Sequence, residues 1–229
     1  MPQANVKELK EMLKNAVHFG HATSKWNPKM KKYIYGEKQG IHVFDLEKTQ
    51  ACLEKALDFL SKSVKEGKTV MFISTKQQVT DLVKEAAKDC GVPYVTQKWV
   101  PGLLTNFRTI KQRIRYLKKL KDEETTGEFS KYTKKEASEL KKTINKLEIS
   151  LGGVQDLMKP PDIVIILDVY RDEIAVKEAS RTGVKIIGLA DSNANPSLID
   201  YPIPANDDAI KSLTYMVNKF KDTIKAGKK

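Results

Sequence analysis

The sequence predicts an α/β protein in which a parallel sheet is interrupted by an inserted pair of helices. From residue 69 onward, short β-branched runs alternate with amphipathic segments, and strands separated by single helices form parallel βαβ units. The alternation stops after residue 96 and resumes at residue 162, with two helix-period segments between. The chain has 229 residues and is 40% hydrophobic, which is enough for one large core.

The first 65 residues predict elements that precede this alternation. Residues 6–16 and 49–65 have the apolar spacing of amphipathic helices. Residues 33–35 and 41–44 are short β-forming runs that predict a hairpin. Between the first helix and this hairpin, we interpret His-Phe-Gly-His at residues 18–21 as a turn at a helix end.

The elements of the main sheet share short apolar runs for strands and amphipathic spacing for helices. In order they are strand 69–74, helix 77–89, strand 92–96, strand 163–167, helix 172–181, strand 184–189 and helix 207–224. The uninterrupted apolar run at 163–167 predicts a strand buried on both faces. Gly91 ends the first of these helices, because glycine readily takes the left-handed conformation that stops a helix.

Residues 105–149 predict an inserted coiled-coil hairpin, and residues 1–104 with 150–229 predict an α/β sheet domain that includes an N-terminal arm. The apolar residues at spacings of three or four are Phe107, Ile110, Ile114, Leu117 and Leu120, and then Ala137, Leu140, Ile144, Leu147 and Leu151. Thr133 and Glu136 form a capping box that starts the second helix. We expect the Gly-Gly pair at 152–153 to stop it in a left-handed conformation.

The net charge of +12 lies in two stretches of the chain. Residues 1–38 carry eight Lys/Arg against three acids, and residues 98–148 carry fourteen against seven, whereas the remaining residues are balanced. Cations clustered on particular elements are the electrostatic signature of phosphate-backbone binding. For the charge run in the hairpin, a solvated coiled-coil face is the alternative, and the sequence leaves both open.

Aromatic, amide and cationic side chains are interleaved at residues 26–33 and 98–108. Aromatic rings stack on unpaired bases, amides bind base edges and cations bind phosphates, so this mixture favours structured RNA. The residues predicted to contact RNA are Lys25, Trp26, Lys29, Lys31, Lys32, Lys98, Asn106, Arg108, Lys111, Arg113, Arg115, Lys118 and Lys119. Trp26 and Trp99 could equally anchor their segments to the sheet by packing.

Catalytic and cofactor motifs fail at specific positions. Gly67-Lys68-Thr69 resembles the end of a phosphate-binding loop, but residue 62 is lysine and the segment precedes a strand. Residues 75–77 and 190–192 lack the glycines that a dinucleotide requires. Cys52 and Cys90 have no metal-ligand spacing. The sequence therefore predicts a protein that is not an enzyme and has no nucleotide cofactor.

Two residue groups are candidates for a cation site. His18 and His21 are three residues apart and could bind a metal together with His42 or a carboxylate. The favoured interpretation is that these imidazoles pack and donate hydrogen bonds within the fold. The second group is Asp191, Asp207 and Asp208. Residues just beyond the carboxyl ends of parallel strands lie in one crevice, so we expect these three carboxylates to converge. These carboxylates could bind a divalent cation, dock a protein or cap helices, and the sequence leaves the three open.

Ordered blocks of the chain resemble the bacterial and organellar family of the second small-subunit ribosomal protein. The blocks are residues 18–21, 26–30, 40–49, 94–110 with Leu-Thr-Asn-Phe at 104–107, 150–153, 174–179 and 200–210. The blocks occur in order, and the match that they define extends over nearly the whole chain. The resemblance implies a flavodoxin-like or Rossmann-like domain, with helices on both faces of a parallel sheet, that has lost nucleotide binding and carries a coiled-coil hairpin.

The resemblance also implies a function. It implies a structural constituent of the small ribosomal subunit that binds small-subunit rRNA, supports translation and contacts neighbouring ribosomal proteins. It further implies that the protein helps dock the messenger-binding ribosomal protein one. The expected location is the cytoplasm of a bacterium, or an organelle, with no membrane contact and no small-molecule substrate. A divergent α/β enzyme that uses the aspartate crevice, and a nucleic-acid binder outside the ribosome, are the competing hypotheses.

Overall fold

The computed structural model describes residues 6–228, so the first five residues of the predicted arm and Lys229 lie outside it. The helices are α1 (Val6–Lys14), α2 (Leu46–Lys65), α3 (Thr80–Cys90), α4 (Phe107–Thr125), α5 (Lys134–Leu151), α6 (Glu173–Thr182) and α7 (Ile210–Gly227). The strands are β1 (Phe19–Ala22), β2 (Ile34–Lys38), β3 (Ile41–Phe44), β4 (Val70–Ile73), β5 (Tyr94–Val95), β6 (Ile163–Ile166), β7 (Lys185–Ala190) and β8 (Tyr201–Pro204). No helix in the described part is long and apolar enough to cross a bilayer.

The large sheet has the order β5-β4-β6-β7-β8, and all neighbouring strands are parallel. Numbered along the chain, this is the 2-1-3-4-5 order of flavodoxin-like folds. The predicted α/β class with a flavodoxin-like parallel sheet is confirmed. We did not predict β8, because Pro202 and Pro204 break the strand pattern; proline is accepted here since β8 lies at the edge of the sheet.

The large sheet is buried on both faces. Val70 and Phe72 of β4 belong to one core, which also contains residues of α2, α3 and α7. The alternate residues Met71 and Ile73 belong to a second core, which contains residues of α6 and the start of α4. Helices therefore cover both faces, which explains why the central strands are continuous apolar runs.

A three-stranded antiparallel sheet, in the order β1-β3-β2, covers the carboxyl end of β7. β1 lies where we expected a turn, because its pairing with the distant β3 supplies the strand hydrogen bonds that its own Gly-His sequence does not predict. The backbone N–H of His21 donates to Asp191 Oδ1 at 3.1 Å and to Ser192 Oγ at 2.8 Å. This contact fixes the small sheet on the large one.

Helices α4 and α5 lie between β5 and β6 in the chain and pack against each other. Leu117 and Leu120 of α4 and Ile144 of α5 form a separate apolar cluster between them. The capping box that we predicted at the start of α5 is present. The first two turns of α4 have a different environment, since Ile110 and Ile114 lie in the core beneath the large sheet. The helix pair is therefore anchored to the sheet at one end.

The Gly-Gly pair after α5 has another role than the one we expected. Gly152 is right-handed, with φ −55° and ψ −39°, and the pair forms a 3-10 turn instead of a left-handed stop. A Cβ added to Gly153 would overlap the carbonyl oxygen and ring of Tyr94. Glycine is thus required here for close approach of the turn to β5, and not for its left-handed conformation.

Candidate nucleic-acid interface

The predicted contact residues of the N-terminal region lie on two short 3-10 turns, Thr23–Lys25 and Pro28–Tyr33. Met30 and Tyr33 are buried in the core beneath the large sheet, which fixes the second turn. The cationic side chains on these turns are exposed, and they are Lys25, Lys29, Lys31 and Lys32. Buried apolar residues thus hold four lysines at the surface.

Trp26 packs against a neighbouring ring and is also partly exposed. Its side chain is 37% exposed, and its ring centroid lies 5.2 Å from that of His42. His42 is buried, and neither of its ring nitrogens has a hydrogen-bond partner within the described chain. One part of the indole therefore packs on His42 while another part remains open to a ligand.

Trp99 is a packing residue, and a carboxylate that we did not predict holds the loop around it. Trp99 Nε1 donates to Glu178 Oε1 at 3.1 Å. The same carboxylate accepts hydrogen bonds from the backbone N–H groups of Gly102, Leu104 and Thr105, at 2.7 to 3.3 Å. Burial alone would raise the pKa of Glu178, but these donors outweigh burial and lower it. One side chain of α6 thus fixes the loop that leads into α4.

The loop also places two further predicted contact residues at the surface, Lys98 and Asn106. Asn106 Oδ1 accepts a hydrogen bond from Thr109 Oγ1 at 3.0 Å. The side-chain amide group of Asn106 therefore remains available as a donor. Lys98 precedes the buried Trp99 and is fixed at its backbone by that neighbour.

The predicted contact residues on α4 fall into two groups by their internal partners. On α4, the exposed guanidinium groups without an ion pair or hydrogen bond in the described chain are those of Arg108, Arg113 and Arg115. The lysines with internal partners are Lys111, Lys118 and Lys119, which contact Met158 O, Asp156 and Glu123 at 3.2, 3.1 and 3.5 Å. These pairs are exposed and hence weak, so the lysines can exchange them for a ligand.

The α4 cations do not form a single surface. One face of α4 carries Arg108, Arg115 and Lys119. Arg115 and Lys119 follow Arg108 by seven and eleven residues, which is about two and three helical turns. We call these three residues the α4 stripe. Arg113 precedes Arg115 by two residues and points about 160° away from it around the helix.

Both basic regions lie over the same face of the large sheet. Met30 and Tyr33 of the N-terminal turns, Leu103 and Leu104 of the loop, and Ile110 of α4 are buried in one apolar cluster. The fold therefore brings together the two charged stretches that lie far apart in the sequence.

A second charged region lies at the carboxyl ends of the large-sheet strands. Lys76 Nζ lies 2.9 Å from Asp168 Oδ2, 2.7 Å from Asp207 Oδ1 and 2.9 Å from Asp208 Oδ1. Lys76, Asp168 and Asp207 are buried. The sequence predicted that Asp207 and Asp208 would converge, but not their partners Lys76 and Asp168, which follow β4 and β6.

His21 completes this region from the small sheet. Its Nδ1 lies 3.0 Å from Asp191 Oδ1, and its Nε2 lies 3.4 Å from Asp208 Oδ2. The hydrogen bond to Asp191 and the surrounding carboxylates outweigh burial and raise the pKa of His21 to about 9. Burial, together with the charges of Asp168 and Asp191, raises the pKa of Asp207 to about 7.

The structure changes the candidate cation site. His21, Asp191 and Asp207 each offer one ligand atom, and these atoms lie within 4.8 Å of one another. His21 thus replaces one of the three predicted aspartates, while His18 and His42 lie outside the group. A nitrogen and two carboxylate oxygens are a ligand set that suits zinc.

The charge of the crevice disfavours a phosphate-bearing ligand. Flavodoxin-like folds bind phosphate-bearing ligands beyond the carboxyl ends of their strands. Here four carboxylates surround one lysine and one histidine, so the local charge is negative and a phosphate would be repelled.

These features define a class: flavodoxin-like α/β proteins in which the chain's own side chains fill the ligand crevice, with basic elements over one sheet face. The sequence model of the family described as Ribosomal protein S2 matches residues 12–227. The chain belongs to this family, which confirms the resemblance found in its sequence.

Several relatives support the assignment. Small ribosomal subunit protein uS2 of Dictyoglomus thermophilum is 47% identical over 220 residues, which cover 96% of this chain and 89% of that protein. The uS2 proteins of Dehalococcoides mccartyi and Petrotoga mobilis are 42% and 46% identical over 224 residues, covering 98% of this chain and 90% and 78% of theirs. Members of the family are structural proteins, so this chain is a structural protein and not an enzyme, as predicted.

Proposed function

We propose that this protein is a structural constituent of the small ribosomal subunit that binds small-subunit rRNA through its N-terminal turns and α4. The observation that carries the proposal is that Arg108, Arg113 and Arg115 are exposed and have no internal partner in the described chain. Arginine forms bidentate contacts with phosphate, and a helix anchored to the sheet holds such groups in place. The relatives are small-subunit proteins of bacteria, which supports a bacterial cytoplasm as the location.

The proposal is tested with the double variant Arg108→Gln, Arg115→Gln and small subunits depleted of this protein. Association is measured by sedimentation over a range of salt concentrations. Each lost phosphate contact lowers the slope of log affinity against log salt by about 0.7 to 0.9. We therefore expect weaker association and a slope lower by about 1.5.

The control removes the same number of charges elsewhere. Lys177→Gln with Lys185→Gln removes two exposed lysines that pair with Glu173 and Asp200, and we expect it to leave the slope unchanged. An unchanged slope in the arginine variant would contradict the rRNA contact.

We also propose that the small sheet docks a neighbouring protein, with ribosomal protein one as the partner. Leu13, Phe19 and Tyr35 are 55%, 40% and 82% exposed, and a groove of about 360 Å³ lies between Leu13, Tyr35 and Val43. An exposed apolar surface of this kind suits a protein partner better than RNA. Tyr35→Asp should abolish retention of ribosomal protein one on reconstituted subunits while rRNA association persists.

A divalent cation at His21, Asp191 and Asp207 is a third part of the proposal, supported by the proximity of their ligand atoms. The cation would compete with Lys76 for Asp207. Calorimetric titration of the full chain with zinc should show one site that Asp191→Asn removes and Asp208→Asn retains. Equal binding by both variants would contradict this assignment.

A further inference from the structure

We infer that the helix pair binds RNA backbone on two opposite sides, with lysines of α5 forming a second surface separate from the α4 stripe. This inference rests on the proposed rRNA-binding function, because the ligand is the same. It concerns residues outside the predicted contact set, which ended at Lys119.

The second surface consists of Lys135, Lys142 and Lys146, which we call the α5 stripe. Lys142 and Lys146 follow Lys135 by seven and eleven residues, so the three share one helix face. The α4 stripe has the same spacing. All three are exposed, and their ammonium groups have no ion pair or hydrogen bond within residues 6–228. At 1.5 Å per residue the stripe spans about 16 Å, enough to contact several consecutive phosphates.

The acids on the helix pair are largely occupied by other contacts. Glu136 belongs to the capping box at the start of α5, and Glu148 pairs with Lys121 and accepts from Gln155. Glu124 of α4 pairs with Lys141, which lies outside the α5 stripe. Internal contacts thus use carboxylates that could otherwise neutralise the stripe, and its lysines remain uncompensated except by the neighbouring Glu139.

The two stripes point away from each other. On α4, Leu117 faces α5, and it lies about 160° around the helix from Arg115 and Lys119. On α5, Ile144 faces α4 and lies about 160° from Lys142 and Lys146. Two packed helices have axes about 8 to 10 Å apart and diameters of about 10 to 12 Å, so the stripes lie roughly 20 Å apart on opposite edges.

This separation determines what can bind. One RNA strand that runs along the α4 stripe cannot also contact the α5 stripe without passing around the helix pair. Two segments of rRNA, one on each edge, satisfy both sets of cations. We favour RNA over an acidic protein because three unpaired lysines in a row match a repeating array of phosphates, as the α4 stripe does.

The first experiment compares two triple variants and their combination in the full chain. Lys135→Gln, Lys142→Gln, Lys146→Gln removes the α5 stripe, and Arg108→Gln, Arg115→Gln, Lys119→Gln removes the α4 stripe. Glutamine is a good helix former, so circular dichroism and thermal unfolding should be unchanged. We expect each triple variant to lower the salt slope for small subunits depleted of this protein by about 2, and the combination by about 4.

The second experiment locates the two edges on the RNA. An iron chelate that generates hydroxyl radicals is attached to Lys142→Cys or to Arg115→Cys, in a chain in which Cys52→Ser and Cys90→Ala remove the native thiols. We expect rRNA cleavage in two different segments. Cleavage of the same segment from both positions would overturn the inference.

The remaining outcomes separate the inference from the proposed function. If only the α4 variant lowers the salt slope, or if Lys142→Cys gives no rRNA cleavage, the α5 stripe faces solvent or an acidic protein and the inference is wrong. If neither variant lowers the slope, the proposed rRNA contact itself fails.

Discussion

The crevice at the carboxyl end of the large sheet and the helix pair use charge in opposite ways. In the crevice, Lys76 and His21 are each in contact with two or more carboxylates, and most of the groups are buried. On the helix pair, Arg108 and Arg115 are exposed, with no partner in the described residues. The comparison shows that buried charges with internal partners stabilise the fold, whereas exposed charges are available to a ligand.

Removing Lys76 should have the largest effect on stability. A small effect would contradict the conclusion that the buried charges of the crevice stabilise the fold. Lys76→Met leaves Asp168 and Asp207 buried without their counter-charge, and breaking a buried ion pair in this way costs about 3 to 5 kcal/mol. The free energy of unfolding, measured in urea, should fall by this amount. Lys118→Met breaks an exposed pair with Asp156 and should cost at most about 1 kcal/mol. Equal losses in the two variants would contradict the distinction.

Glu178 is a buried carboxylate that holds the loop at the base of the helix pair. The Glu178 carboxylate accepts five hydrogen bonds, whereas the amide of Glu178→Gln has one acceptor oxygen and one NH₂ donor. We expect the free energy of unfolding to fall by about 2 kcal/mol. Hydrogen exchange should increase at the backbone amides of residues 102–105. Glu173→Gln, on the exposed face of the same helix, is the matched control. Unchanged exchange in Glu178→Gln would show that the carboxylate does not hold the loop.

The last expected effect is a pH dependence that arises in the crevice. The pKa of His21 rises from 6.5 to about 9 and that of Asp207 from 3.8 to about 7, so the folded protein retains protons that the unfolded chain releases. The free energy of unfolding should therefore fall as the pH rises from about 4 to 9. Urea midpoints at pH 6 and pH 9, measured with a chelator present, should show this decrease. His21→Gln should flatten the curve above pH 7, whereas Arg115→Gln should not change it.

The sequence predicted the parts of the fold that depend on local pattern. Residues 163–167 form a run of apolar, mostly β-branched side chains, and such a run predicts a central strand whatever its neighbours are. β1 and β8 were missed for opposite reasons. β1 is a strand only because it pairs with β3, and β8 contains prolines that are tolerated only at a sheet edge.

The candidate sites show the same limit. The convergence of Asp191 and Asp207 follows from a general rule about parallel strands, so the sequence predicted it. Lys76 could not be assigned to their crevice, because its position depends on the path of the loop after β4. Glu178 was missed because a glutamate in an amphipathic helix is usually exposed. Only the tertiary fold brings it to the backbone N–H groups of the loop, which donate hydrogen bonds to it.

The two edges of the large sheet bear on how the chain behaves before it is assembled. An open edge strand is a template for pairing with another chain, and hence for aggregation. At one edge Pro202 and Pro204 of β8 remove two N–H donors, and at the other the turn at Gly153 lies against Tyr94 of β5. We expect newly made chains to remain monomeric before they are assembled into a larger particle, because neither edge of this sheet favours the addition of a strand.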